Sequence, residues 1–222
     1  MKKSASVLVL LLFLSCTLVS LPQIGVVKAE STIYIRADGS VEGTDKISQM
    51  GNVYTFLKKI NGSIIVEKDD VVVDGSGYVL QPETATDNIG IDLRDRNNVT
   101  VRNLRIRSFG RGILLLNSNN CHIYQNNITD NSHGIKMVDH SSRNRIIENH
   151  LENNGMGLLL SSVNPGSDNT ISGNLITNNT NGMVVKDFLN TSILDNRLEK
   201  NEYALIVGLG PGSILRNNTM TD

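Results

Sequence analysis

The sequence predicts an all-β solenoid, a coil of short parallel strands wound rung upon rung. Three observations predict it. One Gly–apolar–turn–apolar–Asn phrase returns along the chain: GILLLNSNNCHIYQNNITDN from Gly112, GIKMVDHSSRNRIIENHLENN from Gly134 and GMVVKDFLNTSILDNRLEKN from Gly182. The anchors Gly90, Gly112, Gly134, Gly157, Gly182 and Ala204 are separated by 22, 22, 23, 25 and 22 residues, and a fixed period of this size marks units that stack on one another. Within each phrase apolar residues alternate with polar ones, which is the period of a strand with one buried face.

The elements follow in order from each anchor. The first strand carries Ile91 and Leu93, Ile113 and Leu115, Ile135 and Met137, Leu158 and Leu160, Met183 and Val185, Leu205 and Val207. A turn rich in Asn, Ser and Asp comes next, as those residues suit turns. An Ile-x-x-Asn-x-apolar pattern then supplies two more short strands: Ile123, Asn126 and Ile128; Ile146, Asn149 and Leu151; Ile171, Asn174 and Ile176; Ile193, Asn196 and Leu198. The last copy reads Ile214, Asn217 and Thr219, and the first, Val101 and Ile106, has Leu104 in place of the Asn. No stripe of helical period is visible, and the helix-like half of a leucine-rich repeat is missing. One rung cannot bury its own apolar face, so stacking at about 4.8 Å must supply the core.

Two residue types then acquire structural roles. A buried Asn with a carbonyl acceptor and two N–H donors can bond to its copies above and below. Asn126, Asn149, Asn174, Asn196 and Asn217 are expected to form such a ladder. Gly90 to Gly182 are expected at tight corners where a side chain or a negative φ does not fit.

The ends differ from the repeats. Residues 1–29 have a basic start at Lys2 and Lys3, an apolar core from Val7 to Val19 and small residues near Val27-Lys28-Ala29, the pattern of a cleaved signal peptide. An extracytoplasmic location, secreted or cell-surface, is therefore expected, with no membrane span after cleavage. Loss of Lys2, Lys3 and Lys28 moves the formal charge from −1 to −4, which opposes nucleic-acid binding. Cys121 is then the one remaining cysteine, so no intrachain disulfide forms. Residues 30–61 are expected to cap the coil, with strands at Thr32 to Arg36 and Asn52 to Phe56, and residues 62–222 to form it. The chain stops at ILRNNTMTD in mid-rung. The expectation is a C-terminally incomplete coil or one whose last rung stacks on another chain.

On the Ile-x-x-Asn-x-Ile units and VVVDGSGYVLQ (Val71 to Gln81), the chain resembles right-handed parallel β-helix proteins. It is most similar to the NosD-type carbohydrate-binding and sugar-hydrolase group, from Gly62 to Asp222. The resemblance implies the fold and a choice of functions that the fold does not decide. It includes polysaccharide lyases and hydrolases, structural surface proteins and accessory factors for copper-enzyme maturation.

In enzymes of this resemblance the substrate lies across the outer face of one sheet. The outward positions of the first strand are Asp92 and Arg94, Leu114 and Leu116, Lys136 and Val138, Leu159 and Ser161, Val184 and Lys186, Ile206 and Gly208. A hydrolase needs two carboxylates and a lyase needs a base, with Ca²⁺ ligands where it uses calcium. Asp92, Arg94 and Lys136 are the catalytic candidates, a sparse set split by Leu114. Asp95, Asp139 and Asp187, with Asn117 and Ser162, are candidate ligand-binding residues in the following turn. Leu114, Leu116, Val138, Leu159, Val184 and Ile206 are expected to form an exposed apolar stripe suited to association. No stacking aromatic lies in that row. His122, His133, His140, His150, Cys121 and Met137 fall at different phases of the rung, so no metal site is expected. Asn-x-Ser/Thr sequons begin at Asn61, Asn98, Asn127, Asn178, Asn190 and Asn217. The leading expectation is a secreted or cell-surface repeat protein that binds polysaccharide or surface proteins without catalysis or cofactor. The alternative is a lyase or hydrolase of acidic polysaccharide.

Overall fold

A computed structural model describes residues 32–84 and 88–222; the expected signal peptide lies outside the described residues. The described chain is all strand and turn. It winds about 8 times, three strands to a turn, as a right-handed parallel solenoid. One rung shows the plan: His133–Val138 lies in the first sheet, Arg145–Ile147 in the second and His150–Glu152 in the third. Each strand pairs in parallel with its copy one rung away. In the first sheet Ile113, Ile135, Leu158, Met183 and Leu205 are in register. Val101, Ile123, Ile146, Ile171 and Ile193 align in the second, and Ile106, Ile128, Leu151, Ile176 and Leu198 in the third. Except for Leu205, these side chains are fully buried. They are β-branched or leucine-like, a composition that fits a pleated, close-packed interior.

The corners share one device. A residue with left-handed backbone turns the chain, and the next residue points inward. Gln125, Glu148 and Asp195 have φ of 55°, 53° and 55° and precede the inward Asn126, Asn149 and Asn196. A short polar side chain lowers the cost of that conformation, which explains the many Asn and Asp residues at these corners. Asn149 is 2% exposed. Its Nδ2 donates to the carbonyls of Ile123 at 2.9 Å and Ile147 at 3.1 Å, and toward Oδ1 of Asn174 at 3.1 Å. Its Oδ1 accepts from the backbone N–H of Asn126 at 3.1 Å and from Asn126 Nδ2 at 3.0 Å. The buried amide is thereby satisfied on both sides, as its burial requires.

The ladder corrects one residue of the sequence reading. Asn217 is exposed and has φ of 55°, so it is the turning residue. Asn218 is the rung of the ladder, accepting from Nδ2 of Asn196 at 2.8 Å. The cause is register: Ile193 pairs with Leu215 rather than Ile214, and the inward Asn follows three residues after the inward aliphatic. The same spacing builds a second ladder, Asn131, Asn154, Asn179 and Asn201. A shorter one joins Asn144 and Asn169 through backbone donors. The glycine column is also corrected in part. Gly90, Gly112, Gly134, Gly157 and Gly182 do not have positive φ. They are needed because a Cβ on Gly134 would stand 2.5 Å from the carbonyl oxygen of Gly157. Close contact between rungs, not backbone handedness, excludes a side chain there.

Residues 32–61 contribute a rung of their own. Thr32–Ile35, Val53–Phe56 and Ile60–Asn61 pair in parallel with Ser63–Val66, Val72–Asp74 and Val79–Gln81. Covering at this end comes from two antiparallel additions, Val41–Glu42 against Thr32–Ile35 and Ile47–Met50 against Val53–Phe56. The outer apolar stripe is less open than its sequence implied. Leu114 and Val184 face outward yet are only 7% and 5% exposed, and Ile206 reaches 37%. Leu114 stands in register between Asp92 and Lys136, and Val184 between Leu159 and Ile206. Among the described residues no helix is long and apolar enough to cross a membrane.

Candidate functional site

The first-sheet candidates do not converge. Leu114 is in register with Asp92 on one side and Lys136 on the other. Asp92 and Lys136 are therefore two rungs apart, roughly 10 Å at the spacing of parallel strands. Asp92 is buried, and both its oxygens accept from Arg94 Nε, at 3.0 and 2.9 Å. That bidentate contact keeps the Arg94 guanidinium firmly protonated and occupies the carboxylate. An acid so engaged is a poor candidate for proton transfer to a substrate.

The turn residues also have local employment. Asp95 accepts from Asn117 Nδ2 at 2.8 Å. Asp139 accepts from the Ser162 hydroxyl at 3.0 Å and from the N–H groups of Val163 and Asn164 at 3.0 and 3.4 Å. It thus holds the longer turn that expands the Gly157–Gly182 interval. Asp187 is exposed one rung beyond. Among the described residues, no three His, Cys, Asp or Glu side chains come together as metal ligands. The Ser162 hydroxyl, then the two N–H groups, draw the Asp139 carboxyl below the usual carboxylate range. A group with a depressed folded pKa stabilises above its unfolded value and loses that contribution as pH falls through the folded one. Amide exchange at Val163 and Asn164 is therefore expected to be slow at neutral pH and to show reduced protection below about pH 4. Asp139→Asn should remove most of the pH dependence of that protection.

A different group does assemble, on the outer face of the second sheet. Stacking places Asp74, Arg102 and Tyr124 in one column and Thr100, His122 and Arg145 in the next. Arg102 donates through Nε to Asp74 at 2.9 Å and through a terminal nitrogen to the Tyr124 hydroxyl at 2.9 Å. The His122 and Tyr124 rings meet with centroids 4.5 Å apart and planes tilted by 34°. Partial burial, then the charge of Arg145, lowers the His122 pKa. Desolvation pushes the Asp74 carboxyl up, but the Ser76 N–H, Asn103 and Arg102 together bring it below its ordinary value.

Beside this cluster, at the corner between the second and third sheets, lies an open groove of about 450 Å³. It is lined by Ser76, Gly77, Asn103, Leu104, Arg105, Gln125 and Asn127. Asn103 joins the two regions by donating to Asp74 at 3.3 Å. Arg105 is exposed, and its side chain makes no hydrogen bond or salt bridge among the described residues. Cys121 takes no part: it is buried, and desolvation raises its thiol to about 11.

Sequence reasoning missed this region because it followed the outward positions of the first sheet alone. The available signal was the pair His122 and Tyr124 flanking inward Ile123, with Arg102 and Arg145 at the equivalent phase of adjacent rungs.

The family model for the right-handed beta helix region matches residues 69–220. The chain belongs to the right-handed β-helix family. Among solved β-helix structures it is similar to an alginate lyase from Paenibacillus sp. str. FPU-7, with 16% identity, a TM-score of 0.55 and 77% of this chain covered. It is also similar to a periplasmic alginate epimerase AlgG, with 17% identity, a TM-score of 0.47 and 74% of this chain covered. A DFA-IIIase from Arthrobacter chlorophenolicus A6 in complex with DFA-III gives 15% identity, a TM-score of 0.44 and 65% coverage. The chain spans 66% of the lyase, 39% of the epimerase and 33% of the DFA-IIIase. The likeness to the lyase, at 16% identity, speaks for the fold alone. No curated protein matches the chain at a significant level. For this β-helix, function rests on the chemistry of its own outer faces.

Proposed function

We propose that the chain is a secreted or cell-surface β-helix protein that binds polysaccharide without cleaving it. The observation that carries this reading is the corner groove. Its walls offer amide, hydroxyl and guanidinium groups from Ser76, Asn103, Arg105, Gln125 and Asn127, which suit hydroxyl-rich ligands. Rungs held by the buried ladders fix those groups before a ligand arrives, which limits the ordering cost of binding. The engagement of Asp92 by Arg94 supports binding over catalysis at the first sheet.

The test is isothermal titration against a panel of neutral and acidic polysaccharides. Binding is expected, with Arg105→Ala and Asn127→Ala each weakening it by roughly three- to tenfold at unchanged melting temperature. Lys186→Ala, on the first sheet, should bind as wild type does. A panel that shows no binding would overturn the reading. Release of reducing ends or unsaturated uronides above an Asp92→Ala control would replace it with a hydrolase or lyase.

A further inference from the structure

We propose that the outer face of the second sheet, formed by Arg102, Tyr124, His122 and Arg145, is a subsite for the carboxylate of an acidic sugar, with affinity that rises as His122 gains a proton. This deepens the polysaccharide reading and rests on it. The subsite adjoins the corner groove through Asn103, so one extended ligand reaches both.

The geometry supplies the recognition. His122 and Tyr124 are two residues apart on one strand and share its outer face. Arg102 is in register with Tyr124 one rung before, and Arg145 with His122 one rung after. Two guanidinium groups thus flank an aromatic pair diagonally. Arg102 commits two of its five N–H donors, one to Asp74 and one to Tyr124. The Tyr124 hydroxyl accepts from Arg102, which leaves its own proton to donate outward. Arg145 is exposed and its side chain makes no hydrogen bond or salt bridge among the described residues. An unpaired guanidinium is a planar fork matched to carboxylate. The tilted rings offer an apolar surface for the face of a sugar ring. Asp74, the acid of this cluster, is already held by Arg102, so its charge repels an incoming anion weakly.

The proton dependence follows from what faces His122. Thr100 stands on the rung before, Arg145 on the rung after and Tyr124 on its own strand. Arg102 is reached through Tyr124, and Glu148 is engaged by Gln125 at 3.1 Å. No free carboxylate in this set neutralises an imidazolium. Burial and Arg145 resist protonation in the free protein. A bound carboxylate offsets both, so ligand and proton assist each other. The favourable window lies below the ordinary imidazole value near 6.5 and above the carboxylate range near 4.

The experiment measures the affinity of the full chain for oligogalacturonate, for a neutral β-glucan oligomer and for dextran sulfate, at pH 5 and pH 8. Wild type, Arg145→Gln and His122→Gln are compared, with melting temperatures to confirm that the exposed substitutions leave folding intact. Oligogalacturonate is expected to bind roughly tenfold tighter than the neutral oligomer, and tighter at pH 5 than at pH 8. Arg145→Gln should lose about tenfold for oligogalacturonate and nothing for the neutral oligomer. His122→Gln should abolish the pH difference, with a smaller loss of affinity at pH 8 than at pH 5 because the ring surface goes as well as the proton. Equal affinity for charged and neutral oligomers overturns the subsite while leaving the polysaccharide reading standing. Tighter binding of dextran sulfate than of oligogalacturonate overturns the carboxylate assignment. Loss of pH dependence in wild type overturns the role of His122. Absence of binding to all three overturns the subsite together with the broader reading.

Discussion

Replacing Asn149 by Leu is expected to destabilise the protein by about 3–5 kcal/mol, because several buried hydrogen bonds are lost at once and a branched aliphatic side chain must fit a column of amides. The backbone N–H of Asn126 is left without its acceptor, and Nδ2 of Asn126, the carbonyls of Ile123 and Ile147 and Oδ1 of Asn174 each lose one hydrogen bond, Oδ1 of Asn174 keeping the N–H of residue 149. Leu104 shows why an aliphatic residue is tolerated elsewhere in this column. It heads the ladder, needs a partner only for its N–H, and finds one in Oδ1 of Asn126 at 3.1 Å. Asn149 has amides on both sides. For a chain of this size the melting temperature should fall by roughly 10 °C. Asn127→Ala, one of the exposed strand positions, should move it by no more than about 2 °C. Thermal unfolding followed by circular dichroism reads both.

The second large effect is expected at Gly134. Ala adds one methyl group at a point 2.5 Å from the carbonyl oxygen of Gly157, so the two rungs must separate or tilt. Overpacking of this kind costs about 1–3 kcal/mol, and more where backbone is the obstacle. Displacement would also strain the parallel pairing of His133–Val138 with Met156–Ser161. Gly208→Ala provides the comparison, since a Cβ there meets nothing within 4 Å. Chemical unfolding should place Gly134→Ala well below wild type in midpoint and Gly208→Ala level with it. Equal midpoints would mean that the glycine column does not reflect close approach of rungs.

The interior was legible in the sequence because stacking imposes the same demand on every rung. Ile135 and Met137, or Ile146 and Leu151, have alternating positions and are buried as that alternation requires. The Asn126 column was legible for the same reason. Its last member was misplaced because Ile214 and Leu215 are both aliphatic, and the spacing alone did not say which one faces inward. The second ladder had the same apolar-x-x-Asn spacing, from Ile128 to Asn131 and from Leu151 to Asn154. It went unread because its apolar residue also closes the preceding motif. The outward residues obey no such rule. Arg102, Tyr124, His122 and Arg145 each occur once, and only the pairing of adjacent rungs brings them to one surface. Asp92 and Arg94 were legible as outward neighbours, but their mutual engagement depended on side-chain geometry that spacing does not encode.

The account stands on which residues of each strand face the interior, and thiol accessibility across one strand tests this most directly. In a Cys16→Ser background, the native Cys121 is buried with its thiol raised to about 11, so it contributes little background reaction. Lys136→Cys and Val138→Cys are expected to react rapidly with a soluble maleimide in the folded protein. Ile135→Cys and Met137→Cys should react only after denaturation. Fast labelling at 135 and 137 with protection at 136 and 138, or equal labelling at all four in a folded chain, would contradict the stacked coil and the surfaces assigned to it.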